Sequence, residues 1–178
     1  MLARGLLWRR AVPTGTFERM YVKLRVAAIR ALLPLRWKLS PKRIPVALRE
    51  FADTEADSGW QFLRALHFVD DPKHQAMLFE TLLEETEHAY LFDELSDRLS
   101  EHHVARVPAA RESLVEDGRS MGEFLAYVYA GELDISKEFS AYAKASPNKE
   151  VQEVFERVQC DEADHHNDLW STLLSTLA

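Results

Sequence analysis

The chain has a single cysteine, Cys160, in 178 residues, which excludes an intrachain disulfide and suits a reducing compartment. As a small, soft side chain it is expected in the core. No uninterrupted apolar run approaches the ~18 residues that a membrane-spanning helix takes, so none is expected. Arg30 interrupts the one apolar stretch near the N-terminus and spoils a secretory signal. Acidic residues are nearly missing from residues 1–45, where Glu18 stands alone against 11 Lys or Arg, a net +10. The rest of the chain carries 11 basic against 28 acidic residues, a net −17, so the two parts face different partners.

Residues 1–45 therefore read as a basic amphipathic arm, and residues 46–178 as a helical domain. Within the arm, Val22, Leu24, Val26, Ile29, Leu32 and Leu33 are interleaved with Lys23, Arg25, Arg30 and Arg36. That pattern suits a cationic helix lying on a membrane surface, docking on a protein partner, or packing on the bundle. Its arginine content also resembles a mitochondrial targeting sequence, although serine is scarce. The expected location is cytoplasmic or peripheral to a membrane, with mitochondrial targeting as the alternative.

With 47% hydrophobic residues, the chain has enough apolar material for one domain with a real core. Two four-residue signatures recur in it, Glu85-Thr86-Glu87-His88 and Glu162-Ala163-Asp164-His165, each with a glutamate 30 positions upstream, Glu55 and Glu132. A Glu-x-x-His pair projects a carboxylate and an imidazole from one helix face, so the set offers four carboxylates and two imidazoles. The motif by itself is weak, since 18 Glu and 7 His give about 0.7 occurrences by composition. Its placement is stronger. The midpoint of Glu55 and Glu85 falls in Val69-Asp70-Asp71-Pro72, and that of Glu132 and Glu162 falls in Ser146-Pro147-Asn148, both turn sequences. In two antiparallel helix hairpins each upstream glutamate then lies level with its Glu-x-x-His, roughly 20 Å from the turn.

An offset of 77 residues superposes the halves, placing Glu55 on Glu132, Phe62 on Phe139, Glu84 on Asp161, Glu85 on Glu162 and His88 on His165. Each hairpin arm also carries its carboxylate in the middle of an apolar stripe, as in Leu78, Leu82, Glu85, His88, Phe92 and Leu95. Four glutamates buried together suffer desolvation and mutual repulsion of several kcal/mol each unless cations neutralise them.

With its Leu82-Leu83-Glu84-Glu85-Thr86-Glu87-His88-Ala89 segment, the chain resembles the ferritin-like di-iron carboxylate proteins, and most closely their rubrerythrin branch. The resemblance spans about residues 46 to 177 and implies an all-α, ferritin-like four-helix bundle of two antiparallel hairpins joined by a long crossover. It also implies Glu55, Glu85, His88, Glu132, Glu162 and His165 as ligands, with Glu85 and Glu162 bridging. A full rubrerythrin adds a rubredoxin domain with four cysteines, which a chain with Cys160 alone does not hold. Oxygen and nitrogen donors favour iron or manganese over structural zinc, and the resemblance selects two iron ions.

The implied activity is a di-iron oxidoreductase that activates or reduces peroxide or O2 with electrons from an external donor. Alternatives are a membrane-associated monooxygenase resembling demethoxyubiquinone hydroxylase and a ferroxidase that handles iron. The former family's Asp-His-Ala-Gly-Glu motif is absent around Glu55. The expected partners are O2 or peroxide, the electron donor, a membrane surface or protein for the arm, and a second copy in a homodimer, with no nucleic acid.

Bundle helices are expected at about 46–69, 72–100, 120–145 and 147–177, with Asp71 and Ser146 as caps and a capping box at Ser120-Met121-Gly122-Glu123. Residues 101–119 are expected to form the crossover, with a short helix between Pro108 and Gly118. The acceptors for the ligand imidazoles are expected among Asp57, Glu87, Asp134 and Asp164.

Overall fold

The computed structural model describes residues 16–100, 111–115 and 120–177, with side chains described there except at 16–23, 25, 26, 29, 30, 134, 163–166, 168 and 175–177. Among the described residues the fold has five α-helices, α1 (Thr16–Leu39), α2 (Arg43–Ala65), α3 (Pro72–Leu99), α4 (Met121–Ala145) and α5 (Lys149–Leu177), and one 3-10 turn, Leu66–Phe68, which follows α2 where the helix was expected to continue to 69. No strand occurs among the described residues.

Local chemistry sets most of the helix ends. Pro72 opens α3 at a position whose N–H has no intrahelical partner, and Asp71 caps it by accepting from the Lys73 amide at 2.8 Å. At α4 the capping box forms in full: the Ser120 hydroxyl accepts from the Glu123 amide, and the Glu123 carboxylate accepts from the Ser120 amide. Two expectations are corrected. The helix α2 starts at Arg43 rather than 46, because Pro45 fits within the first turn, where no amide is needed. The α5 helix is capped by Asn148, whose side-chain oxygen accepts from the amides of Glu150 and Val151 at 2.9 and 3.3 Å, and not by Ser146, which closes α4 instead.

Helices α2 and α3 pack as one hairpin and α4 and α5 as the other. The core forms two apolar clusters, one at each end of the bundle. The first draws on Leu48 and Phe51 of α2, Phe92 and Leu95 of α3, Ile135 and Phe139 of α4, and Val151 and Phe155 of α5. The second draws on Phe62 of α2, Leu78 of α3, Leu125 and Val128 of α4, and Leu169 and Leu173 of α5. The turn between α2 and α3 therefore lies at the second cluster's end, and the turn between α4 and α5 at the first. The α3 helix ends beside the first cluster while α4 begins beside the second, so the two helix ends that the connection joins lie at opposite ends of the bundle.

The described part of that connection is fastened to α2. Gln61 donates to the Glu112 carbonyl and accepts from the Leu114 amide, each at 2.9 Å, and Arg111 pairs with Asp57 at 3.4 Å. Leu114 and Val115 then enter the second cluster. The short helix expected between Pro108 and Gly118 is not found in its described part: residues 111–115 are irregular chain and turn, tied to α2 through side chains and packed through Leu114 and Val115 instead, and the rest lies outside the described residues.

The first cluster is rich in aromatic rings from all four bundle helices. Phe51 meets Phe92, Phe139, Tyr142 and Phe155 with centroids 4.8 to 5.5 Å apart, three of these contacts edge-to-face. The α1 helix packs on α4 and contributes Leu33 and Trp37 to this cluster, with Trp37 lying 5.5 Å from the Tyr142 ring. No described helix is long and apolar enough to cross a membrane. Cys160, expected in the core, is exposed.

Since Trp37 is wholly buried, Trp37→Ala is expected to lower unfolding stability by about 3–5 kcal/mol in urea titrations. A loss under about 1 kcal/mol would mean that α1 does not rest on the bundle.

Candidate metal centre

Between the two apolar clusters lies a layer of buried acids. Each bundle helix passes from one cluster to the other through this layer: Ala52, Glu55, Phe62 on α2; Leu78, Glu85, His88, Phe92 on α3; Val128, Glu132, Ile135 on α4; Val158, Glu162, Leu169 on α5. The 3.6-residue period sets this, since an acid in step with an apolar stripe must point where the stripe points.

Ligand atoms of Glu55, Glu85, His88 and Glu162 all lie within 4.8 Å of one another, and all four residues are buried. Glu132 is buried beside them and close enough to Glu162 and Glu55 for their charges to act on it, though it stands outside the tightest group. The sixth predicted ligand, His165, has its backbone in α5, and its side chain lies outside the described residues.

Glu85, Glu132 and His88 in this layer all hold their protons more tightly than usual. Burial pushes the Glu85 carboxyl well above its ordinary range, and the charges of Glu132, Glu55 and Glu162 push it further. Burial likewise raises Glu132, with Glu162 and Glu55 adding to the effect. For His88, burial works against the charged ring, but the hydrogen bond to Glu162, the charges of Glu55 and Glu162 and the contact with Asp161 outweigh it, leaving its pKa raised. Such a cluster is relieved either by protons or by a cation. Several carboxylate oxygens and an imidazole nitrogen are donors suited to a divalent transition metal, and this group can hold a metal ion.

His88 is held from both sides. Its Nδ1 lies 3.3 Å from Glu162 Oε1, and its Nε2 lies 3.2 Å from Asp161 Oδ2. The second contact was missed by the sequence reading, which looked for the acceptor at Asp57, Glu87, Asp134 and Asp164. Asp57 instead pairs with Arg111, Glu87 pairs with Arg157, and the side chains of Asp134 and Asp164 lie outside the described residues. A signal for Asp161 existed in the 77-residue repeat, which sets Glu84 and Asp161 as the acids immediately before each hairpin's Glu-x-x-His.

Gly59 lets α2 approach α3 at this level. A Cβ there would stand 3.4 Å from Glu85 Cβ and 3.5 Å from both Leu82 Cδ1 and Thr86 Oγ1, which is ordinary contact. Alanine therefore fits, but a branched side chain does not. Gly59→Ala is expected to keep metal binding and to gain up to about 1 kcal/mol from helix propensity. Gly59→Leu, by forcing the helices apart at Glu85, is expected to lose both metal binding and stability; equal metal content in the two variants by elemental analysis would contradict this geometry.

The raised acids also set a pH dependence. Because the folded-state values of Glu85 and Glu132 lie well above the ordinary 4.5, their contribution to stability is complete below about that pH and is lost as pH rises through the folded values. Glu85→Gln mimics the protonated form at every pH. In metal-stripped protein, the calorimetric Tm of Glu85→Gln minus that of the parent chain is expected to grow as pH rises from 4.5 toward neutrality. A difference that stays constant would mean that Glu85 is not desolvated.

Compared with protein-family models, with curated proteins and with solved structures, the chain has no match in any of the three.

Proposed function

We propose that the chain is a ferritin-like di-iron oxidoreductase of rubrerythrin type, which activates or reduces peroxide or O2 with electrons from an external donor. One observation carries this reading. Four helices each bring a buried glutamate to one layer, α3 adds His88, and ligand atoms of four of these five residues converge within 4.8 Å. The placement of the end of α3 and the start of α4 at opposite ends of the bundle supports the ferritin-like connectivity, and the oxygen and nitrogen donors of the described group support iron or manganese over structural zinc.

Glu55, Glu85, His88, Glu132 and Glu162 would hold the metals, and the repeat nominates His165 as His88's counterpart. When bound, two iron ions supply the electrons for reducing an O–O bond and are restored by the external donor. The chain's own residues set the conditions. Glu85 and Glu162 are fully buried, and they would be the carboxylates that two ions share. Without an ion, Glu162 and Asp161 flank the His88 ring at Nδ1 and Nε2; with one bound, Asp161 would accept the Nε2–H and hold the ring, and Nδ1, on the side of Glu162, would give up its proton to face the ion. Burial disfavours bare carboxylates, so the group releases protons when it takes up metal, and its affinity falls in acid. Phe92, Phe139 and Phe155 on one side and Phe62, Val128 and Leu169 on the other keep bulk water from the layer.

Anaerobic loading with Fe(II), followed by elemental analysis, is expected to give two iron ions per chain. Hydrogen peroxide or O2 should then oxidise them, seen as near-ultraviolet absorption, and a chemical reductant should sustain hydroperoxide turnover. Glu85→Ala should hold less than one iron and turn nothing over. Failure of the parent chain to bind iron sinks the metal reading, whereas binding without oxidation or turnover sinks only the oxidoreductase reading.

A further inference from the structure

We propose that the outward face of α1 docks the protein on an anionic phospholipid surface. With Leu33 and Trp37 committed to the core, the other side of the helix is turned to solvent. There Leu24, Leu32, Leu35 and Leu39 are 62%, 64%, 58% and 75% exposed. At about 100° per residue, Leu24, Leu35 and Leu39 fall roughly opposite the buried pair, with Leu32 at their edge. Leu32, Leu35 and Leu39 form a stripe of large apolar side chains in water, which exposed Ala28 and Ala31 extend toward Leu24, and a monomeric soluble protein rarely shows such a stripe without a partner.

Charge identifies that partner. Arg36 and Lys38 are exposed and border the stripe on either side, and exposed Lys42 and Arg43 continue the positive charge into the start of α2. A helix with an apolar ridge and cationic flanks suits the boundary between headgroups and acyl chains, where each cation near an anionic leaflet contributes about a fivefold gain in partitioning. The net +10 of residues 1–45 strengthens the attraction, while the net −17 of the remainder repels the bundle from the same surface. The protein is thereby oriented with α1 toward the lipid and the acidic bundle away from it.

Other exposed apolar groups provide a contrast. Phe79, Leu83 and Tyr90 on α3 lie among exposed Glu80, Glu84 and Glu87, a face that an anionic membrane repels. A second copy seated on the α1 stripe would bring two arms of net +10 together, which opposes that pairing.

The test is flotation of the full chain with vesicles of phosphatidylcholine alone or mixed with phosphatidylglycerol. Binding to the mixed vesicles is expected to exceed binding to phosphatidylcholine at least tenfold and to weaken with salt. Leu35→Glu with Leu39→Glu should lower binding to mixed vesicles at least tenfold. Arg36→Glu with Lys38→Glu should do the same while leaving binding to phosphatidylcholine unchanged. Circular dichroism and metal content should match the parent chain in both. No binding to mixed vesicles, or binding indifferent to both double variants, overturns the proposal. So does a solution dimer that Leu35→Glu with Leu39→Glu splits into monomers, since the stripe would then cover a second copy.

Discussion

Glutamates buried side by side in an apolar interior are the constraint on which this fold depends. Each carboxylate loses its hydration and also faces its neighbours' charge, a penalty of several kcal/mol per ion before compensation. Glu55, Glu85, Glu132 and Glu162 accept that position because the apolar stripes of four helices carry them there, with Ala52 and Phe62, Leu78 and Phe92, Val128 and Ile135, and Val158 and Leu169 fixing each helix above and below. The core is split into two clusters for this reason: an apolar cluster cannot run through a layer of carboxylates, so packing resumes on the far side. The aromatic set around Phe51 then fixes one end of the bundle, and Gln61, by gripping the Glu112 carbonyl and the Leu114 amide, fastens the long connection at the other.

Much of this was legible because its causes are local or periodic. Asp71 with Pro72, and Ser120 with Glu123, satisfy orphan amides within three residues, so their signatures hold whatever the helices pack against. The acids were legible because their stripes are. Cys160 was misplaced by reading its residue type over its position: with Val158 and Glu162 buried, a residue midway between them on a helix must point outward. At the second turn, Pro147 holds Ser146 in an extended conformation, so α5 starts only once Asn148 can receive its first amides. Asp161 escaped notice because it reaches His88 from another helix, 73 residues away, where spacing along one helix says nothing.

Layered construction also separates folding from metal binding. In small metal-dependent domains the ion replaces a core that the chain lacks, and the chain without it is unfolded. Here two apolar clusters close the bundle on both sides of the acids, and Trp37 extends one of them beyond the four acid-bearing helices. Without an ion the layer is relieved by protons, which cost the fold stability at neutral pH but leave the packing above and below in place. A cation that displaces those protons adds its binding free energy to a structure already formed, about 4 kcal/mol when present at a thousand times its dissociation constant. The donors are thus held ready by packing rather than gathered by the metal. Helices tied together on both sides of a site limit how far its carboxylates can separate.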